Sequence, residues 1–205
     1  LDGKKKVKLT KDGRVKRTPN NAKKNRDTVV NIQESDIPKF MEYFDMRIMC
    51  AQDIQKRKVA VRNKVMFVCG INIGLRVSDL VQLKWSTVFF KNGNFRDGVK
   101  VKPDKTRHSK DGKGKLVFLS FNDAFKKAIN LYMEENKIEI DDENYDDYMF
   151  PTRQSDNISP DAWSIIVKNA AKACGITYPI CSHSLRKTFA RSRYDHAKDK
   201  NMVLT

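Results

Sequence analysis

The sequence predicts an α+β domain that is mainly α-helical and carries a small antiparallel sheet of about three strands. Apolar residues recur at three- and four-residue steps over much of the chain, which is the spacing of one face of an α-helix. Short apolar runs separated by turn signals are confined to the stretch between residues 88 and 119, which favours a few paired strands there. The 205 residues are enough for one well-buried domain.

The helices are expected to begin at residues that cap helix N-termini. The first begins near Asp36, with Pro38 in its first turn. The second is a core helix through 59–71, and Gly74 ends it. A short helix follows, carrying Leu80. The later starts are predicted at Asn122, Ser159 and Ser182.

The strands are expected at 88–90, 99–101 and 115–119. Asn92-Gly93 supplies a turn between the first two, and residues 104–114 supply the second turn. An antiparallel meander follows from these short connections.

The charge of the chain predicts a polyanionic partner, foremost nucleic acid. The net charge is +16, and residues 1–26 hold eleven Lys or Arg against two Asp. We therefore expect residues 1–27 to form a basic flexible arm or interdomain linker and residues 28–205 to form the compact domain. The residues expected to contact DNA are Lys4, Lys5, Lys6, Arg14, Lys16, Arg17 and Lys187.

Other functional classes are disfavoured by composition. Residues 134–148 carry eight acidic side chains against one lysine, so this run should face away from DNA. No stretch is long and apolar enough to span a membrane. The four cysteines form no CxxC pair, which predicts reduced, buried thiols, and Cys181-Ser182-His183 has no matching second pair, so neither a metal site nor a cofactor is expected.

Arg76 is the first candidate functional residue, because it lies between the core helix and the short helix that follows. A guanidinium there needs an anionic partner, and its planar fork suits a carboxylate or a phosphate. Asp79, one helical turn further on, allows either a structural Arg76–Asp79 pair or an arginine held in place for another anion.

His183 and Arg186 form the second candidate group. They are three residues apart at the start of the last helix, so one phosphate could contact both side chains and the positive end of the helix. The alternative is a histidine contacting the helix end beside an exposed arginine.

Lys105, between a strand and a turn, is either a general acid for a leaving oxygen or one of many solvated lysines.

Together these stretches resemble the catalytic domain of the tyrosine recombinases, the phage-integrase family of site-specific DNA recombinases. The resemblance covers about residues 30–205. It depends on the order and spacing of four motifs: GLRVSDL at 74–80, DKT at 104–106, YMFP at 148–151 and HSLRKTFA at 183–190.

The resemblance implies a role for each candidate residue. Arg76 and Arg186 would clamp the scissile phosphate, with His183 beside it. Lys105 would be the general acid, and Asp79 would support the first arginine. The implied reaction cuts and rejoins DNA through a 3′-phosphotyrosine intermediate, without metal or cofactor.

The family also has a nucleophilic tyrosine several helical turns beyond the last motif, and it is expected beyond Thr205. Tyr194 lies about 12 Å further along the helix than Arg186, too far to attack the same phosphate. The chain is therefore expected to be a catalytic domain incomplete at its C-terminus, inactive alone and normally preceded by another domain.

The partners implied by the resemblance are double-stranded DNA and further copies of the chain in a synaptic tetramer. A cytoplasmic, nucleoid-associated protein of bacterial or phage origin, serving DNA integration or recombination of a mobile element, is expected. Two alternatives remain open: a type IB topoisomerase-like enzyme and a non-catalytic basic nucleic-acid-binding module.

Overall fold

The architecture is mainly helical, with one small antiparallel sheet, as the sequence predicts. The computed structural model describes residues 29–102 and 116–197. Within these ranges a 3₁₀ turn, seven helices and two strands follow one another. They are the turn Glu34–Asp36, α1 Ile37–Met49, α2 Ile54–Ile73, α3 Val77–Leu80, α4 Trp85–Val88, β1 Gly98–Val101, β2 Val117–Ser120, α5 Asp123–Asn136, α6 Pro160–Ala173 and α7 Ser182–Asp195.

Local side-chain caps fix three of the helix starts, those of α2, α5 and α6. The Asn122 side chain accepts a hydrogen bond from the Phe125 amide at 2.9 Å, and Ser159 accepts one from the Ala162 amide at 3.1 Å. Both starts confirm the sequence prediction. Helix α2 begins at Ile54, earlier than its apolar stretch, because the Asp53 carboxylate accepts from the Lys56 amide at 2.7 Å.

The predicted cap of α7 is wrong by one residue. Cys181, not Ser182, is the extended residue before the helix, and its amide donates to the Ser184 hydroxyl at 3.2 Å. The Ser182 hydroxyl is instead 2.8 Å from the hydroxyl of Ser164 on α6. A contact between helices has therefore replaced the local cap.

Helix α2 is the centre of the core. Its buried residues point in every direction, and Val65, Met66 and Phe67 are fully enclosed. Phe67 stacks on Phe40 of α1 with ring centroids 5.0 Å apart. The burial of Cys69 raises the pKa of its thiol well above the usual range.

All four cysteines are free thiols. The expectation that they are buried holds for Cys69, whereas Cys50 is exposed. No helix in 29–102 or 116–197 is long and apolar enough to cross a membrane.

The sheet has two strands within the described residues. β1 and β2 pair antiparallel, with Gly98 opposite Ser120 and Val101 opposite Val117. The strand predicted at 88–90 is wrong, since Val88 ends α4 and Phe89 forms only an isolated bridge with Phe95. Trp85, Val88 and Phe89 are all buried, and a helical turn places residues at this spacing on one side.

The segment 145–150 braces the connection between α3 and α4. The Met149 amide donates to the Leu83 carbonyl at 2.8 Å, and the Ser86 amide donates to the Tyr145 carbonyl at 2.7 Å. Asp146 and Asp147 in the same segment are exposed. The acidic run thus supports the α3–α4 connection with its backbone and leaves these charges in solvent.

Two glycines of α2 let α7 approach closely. A Cβ added at Gly70 would lie 2.7 Å from Cδ1 of Leu185, a residue only 2 % exposed. A Cβ at Gly74 would lie 2.2 Å from Cδ1 of Phe189. A side chain at either position would separate the two helices.

We predict that Gly70→Val destabilises the domain by about 1–3 kcal/mol, because the new methyl groups meet Leu185 in a close-packed contact. Gln55→Val, at an exposed position of the same helix, is the control and should cost about 0.5 kcal/mol or less. Urea unfolding followed by circular dichroism measures both. Equal losses in the two variants would contradict the tight α2–α7 contact.

Candidate active site

The chain reversal after α2 positions Arg76. Gly74 adopts a left-handed conformation, with φ of 62°, and ends the helix. Leu75 is buried and anchors the turn, while Arg76 is extended and half-exposed at the start of α3. The Arg76 side chain therefore extends from a turn that is fixed on both sides.

Helix α7 brings Arg186 to the same turn. Its Nη1 donates a hydrogen bond to the Gly74 carbonyl at 2.5 Å. Phe189, one turn further along α7, packs where a side chain at position 74 would be. The close approach of α7 therefore holds the second candidate arginine beside the turn that carries the first.

The charges of the site interact with one another. Partial burial lowers the pKa of Arg186, the nearby Arg76 lowers it further, and Asp79 opposes both effects. His183 is an exposed residue, but limited desolvation of its ring lowers its pKa, as do Lys187, Arg186 and Arg76 in that order. The structure thus brings Arg76, Asp79, His183 and Arg186 into one electrostatic site.

Arg76, His183 and Arg186 form no close ion pair in the described part of the chain, although the Asp79 charge acts on Arg186. Within residues 29–102 and 116–197, no carboxylate oxygen lies within 4.0 Å of Arg76, His183 or Arg186. Two guanidinium groups and an imidazole without a close ion pair suit a tetrahedral oxyanion such as a phosphodiester.

Several predicted residues have other positions. Lys105 lies outside the described residues, as do Lys4, Lys5, Lys6, Arg14, Lys16 and Arg17. Lys187 is half-buried, and its amine donates to the Val29 carbonyl. Tyr194 lies near the end of α7, which is continuous from Ser182 to Asp195.

The role of the Gly74 carbonyl as the acceptor for Arg186 is not among the features predicted from the sequence. The glycine directly before Leu75-Arg76 is a sequence signal that another part of the chain approaches the backbone closely at this position. From the sequence, Gly74 is predicted only to end the helix. In the structure its missing side chain also makes room for α7. None of the described residues forms a cluster of His, Cys, Asp or Glu suited to a metal ion.

A sequence model described as the phage integrase family matches residues 31–203. The chain belongs to the phage integrase family. This membership and the mainly helical fold confirm the resemblance drawn from the four motifs.

Individual relatives agree with this assignment. The chain is 24% identical over 167 residues to the tyrosine recombinase XerD of Pseudomonas putida, covering 82% of this chain and 52% of that protein. It is 31% identical over 158 residues to the probable integrase/recombinase YoeC of Bacillus subtilis, covering 74% and 76%. The chain spans about half the length of the XerD relatives.

Solved structures share the fold. The XerA recombinase has a TM-score of 0.60 at 19% identity, covering 85% of this chain and 54% of that one. The XerH recombinase in a pre-cleavage complex with its difH substrate has a TM-score of 0.58 at 19% identity, covering 85% and 45%. The Tn1549 transposon integrase, with circular intermediate DNA, has a TM-score of 0.55 at 16% identity, covering 85% and 55%.

We predict that the site binds inorganic phosphate. A tenfold excess over its Kd should stabilise the chain by about 1.4 kcal/mol through mass action. Arg76→Gln and Arg186→Gln should lose most of this gain, because each removes a guanidinium from the site. Arg47→Gln, at an exposed position of α1, makes the same charge change and should retain it. Thermal unfolding at constant ionic strength measures the difference, and equal phosphate responses in all variants would contradict the site.

Proposed function

We propose that this chain is the catalytic part of a site-specific DNA recombinase that cuts and rejoins DNA through a 3′-phosphotyrosine intermediate. The observation that carries the proposal is the convergence of Arg76, His183 and Arg186, with no carboxylate within 4.0 Å of any of them among the described residues. Such a site offers positive charge where a transferring phosphoryl group gains negative charge.

In the proposed reaction a tyrosine oxygen bonds to the phosphorus and gives its proton to the neutral imidazole of His183, while the bond to the 5′-oxygen breaks. Arg76 and Arg186 neutralise the charge on the two non-bridging oxygens. Lys105 gives a proton to the departing 5′-oxygen. The reverse attack by another strand's 5′-hydroxyl reseals the DNA, so the phosphodiester bond energy is conserved.

The placement of Lys102 supports a role for Lys105. Asp79 and Lys102 line one groove of about 380 Å³ between the α3–α4 connection and the two strands. Lys105 follows Lys102 by three residues in the sequence. In this proposal Asp79 supports the arginines and Lys105 reaches the leaving oxygen.

The nucleophile is proposed to lie outside these 205 residues. Tyr194 is eight residues after Arg186 on one continuous helix, a rise of about 12 Å. A tyrosine oxygen at that separation cannot attack a phosphorus held by Arg186. On this proposal the 205-residue chain binds DNA and forms no covalent adduct by itself.

We further propose that the partners are double-stranded DNA and other copies of the protein, which assemble as a tetramer on two DNA sites. The XerH and Tn1549 integrase structures each hold DNA. The bacterial relatives favour a cytoplasmic, nucleoid-associated protein of bacterial or phage origin. Assays of strand cleavage and of supercoil relaxation distinguish this function from a topoisomerase-like activity and from simple nucleic-acid binding.

We predict that Arg76→Ala and Arg186→Ala abolish strand cleavage in a protein that carries this chain together with the nucleophile. Each should lower the cleavage rate by about 10²-fold or more while duplex binding persists, because the positioned charge acts mainly on the transition state. Lys105→Ala should also slow cleavage, and a 5′-bridging phosphorothiolate should restore the rate because sulfur leaves without a general acid.

Nicked duplex substrates that trap the covalent adduct measure these rates, with Arg47→Ala as the control. Cleavage by Arg186→Ala at the parental rate would contradict the assignment. Relaxation of supercoiled DNA without exchange between two sites would instead support the topoisomerase-like alternative, and binding with no cleavage would support a non-catalytic module.

We predict that the basic arm contributes to duplex affinity. Replacing Lys4, Lys5, Lys6, Arg14, Lys16 and Arg17 with Gln keeps the arm's length and should lower the slope of log affinity against log salt by roughly 0.9 for each lost phosphate contact. Fluorescence anisotropy over a range of salt concentrations measures the slope. An unchanged slope would show that these residues do not contact DNA.

A further inference from the structure

The chain that enters the domain is fastened along helix α7. The Lys187 amine donates to the carbonyl of Val29, and the Ile32 amide donates to the Thr188 hydroxyl at 2.8 Å. The next amide, of Gln33, donates to the hydroxyl of Tyr178 at 3.1 Å. We call residues Val29–Gln33 the entry segment; its partners on α7, Lys187 and Thr188, directly follow Arg186.

The central contact is buried. Ile32 is 1% exposed and Thr188 is 5% exposed. The Thr188 hydroxyl accepts from Ile32 and donates to the Ser184 carbonyl at 2.9 Å, so both of its roles are used. A buried, fully satisfied hydroxyl of this kind holds the entry segment in one position against α7.

The entry segment thereby fixes the position of the Lys187 charge. Lys187 lies four residues after His183, so both side chains emerge on one face of α7. Its acceptor is a neutral carbonyl, and among the described residues no carboxylate lies within 4.0 Å of its amine. The charge therefore belongs to the same face of α7 as the imidazole, and no carboxylate of the described residues pairs with it.

We propose that Lys187 is a positioning residue that keeps His183 in its neutral form, and that the entry segment holds Lys187 in the place where it does so. The consequence for catalysis rests on the proposed function, whereas the charge state of His183 is a property of the chain itself. Lys187 thus acts on the imidazole in addition to any contact with DNA.

The charged groups facing His183 support this assignment. Lys187 and Arg186 belong to the same helix, and Arg76 comes from the turn before α3. After the partial burial of the ring, Lys187 is the largest of these influences that lower the pKa of His183. A histidine with a lowered pKa is neutral over more of the physiological pH range and is able to accept a proton there.

The proposal is tested by following the His183 ring signal in NMR spectra of the 205-residue chain as the pH is changed. The chain has three histidines, and His183→Gln identifies the signal of this one. Lys187→Gln keeps an N–H donor for the Val29 carbonyl but removes the charge, so the pKa of His183 should rise. Lys187→Arg keeps both donor and charge and should leave it near the parental value.

Two further variants separate the charge from its support. Thr188→Val removes the acceptor for the Ile32 amide, so Lys187 becomes less well fixed and the pKa of His183 should rise although no charge is lost. Arg47→Gln removes a charge from α1 and should leave the His183 titration unchanged. Backbone amide spectra verify that each variant retains the parental fold.

An unshifted His183 titration in Lys187→Gln would overturn the proposal, as would an equal shift in Lys187→Gln and Lys187→Arg. Loss of DNA affinity in Lys187→Gln with an unshifted titration would identify Lys187 as a DNA contact only. In the cleavage-competent protein, the acidic limb of the pH–rate profile should move to higher pH in Lys187→Gln. A shifted titration with an unmoved profile would uphold the charge effect and overturn the catalytic role given to His183.

Discussion

The close contact between helices α2 and α7 is the constraint on which the rest of the site depends. Gly70 and Gly74 leave no side chain between the helices, so Leu185 and Phe189 lie directly on the α2 backbone. That approach places the Arg186 guanidinium 2.5 Å from the Gly74 carbonyl, beside the turn that carries Arg76.

The site cations are held by neutral groups. Arg186 donates to the Gly74 carbonyl and Lys187 to the Val29 carbonyl. Arg62, only 7% exposed, follows the same rule away from the site and donates to the Pro151 carbonyl at 2.9 Å. A backbone carbonyl fixes a cation without neutralising it, whereas a carboxylate would lower the charge offered to an anion. Desolvation lowers the pKa values of Arg186 and His183 most, and the neighbouring positive charges lower them further. Negative charge is instead gathered in the exposed run around Asp146 and Asp147, whose backbone braces the α3–α4 connection.

Features encoded within a few residues could be predicted from the sequence. The caps Asn122 and Ser159 depend on a side chain and an amide three residues on, so both helix starts were predicted correctly. Arg76, His183 and Arg186 were selected by residue type and motif spacing, and family membership supports those motifs.

The predictions failed where tertiary contacts compete with local ones. Ser182 bonds to Ser164 on another helix and leaves the cap to Cys181, and Trp85–Val88 coils into a helical turn because its apolar residues are buried on one side.

The sequence by itself determined the helical class, the basic charge and the candidate residues, since each is a property of composition or of short-range periodicity. Only the tertiary structure decided that the Gly74 carbonyl accepts from Arg186 and that the Lys187 amine donates to Val29. Arg186 is 112 residues from Gly74, and Lys187 is 158 residues from Val29. Contacts over such separations depend on how whole helices pack, and the free energy of that packing is distributed over the entire core rather than encoded beside either partner.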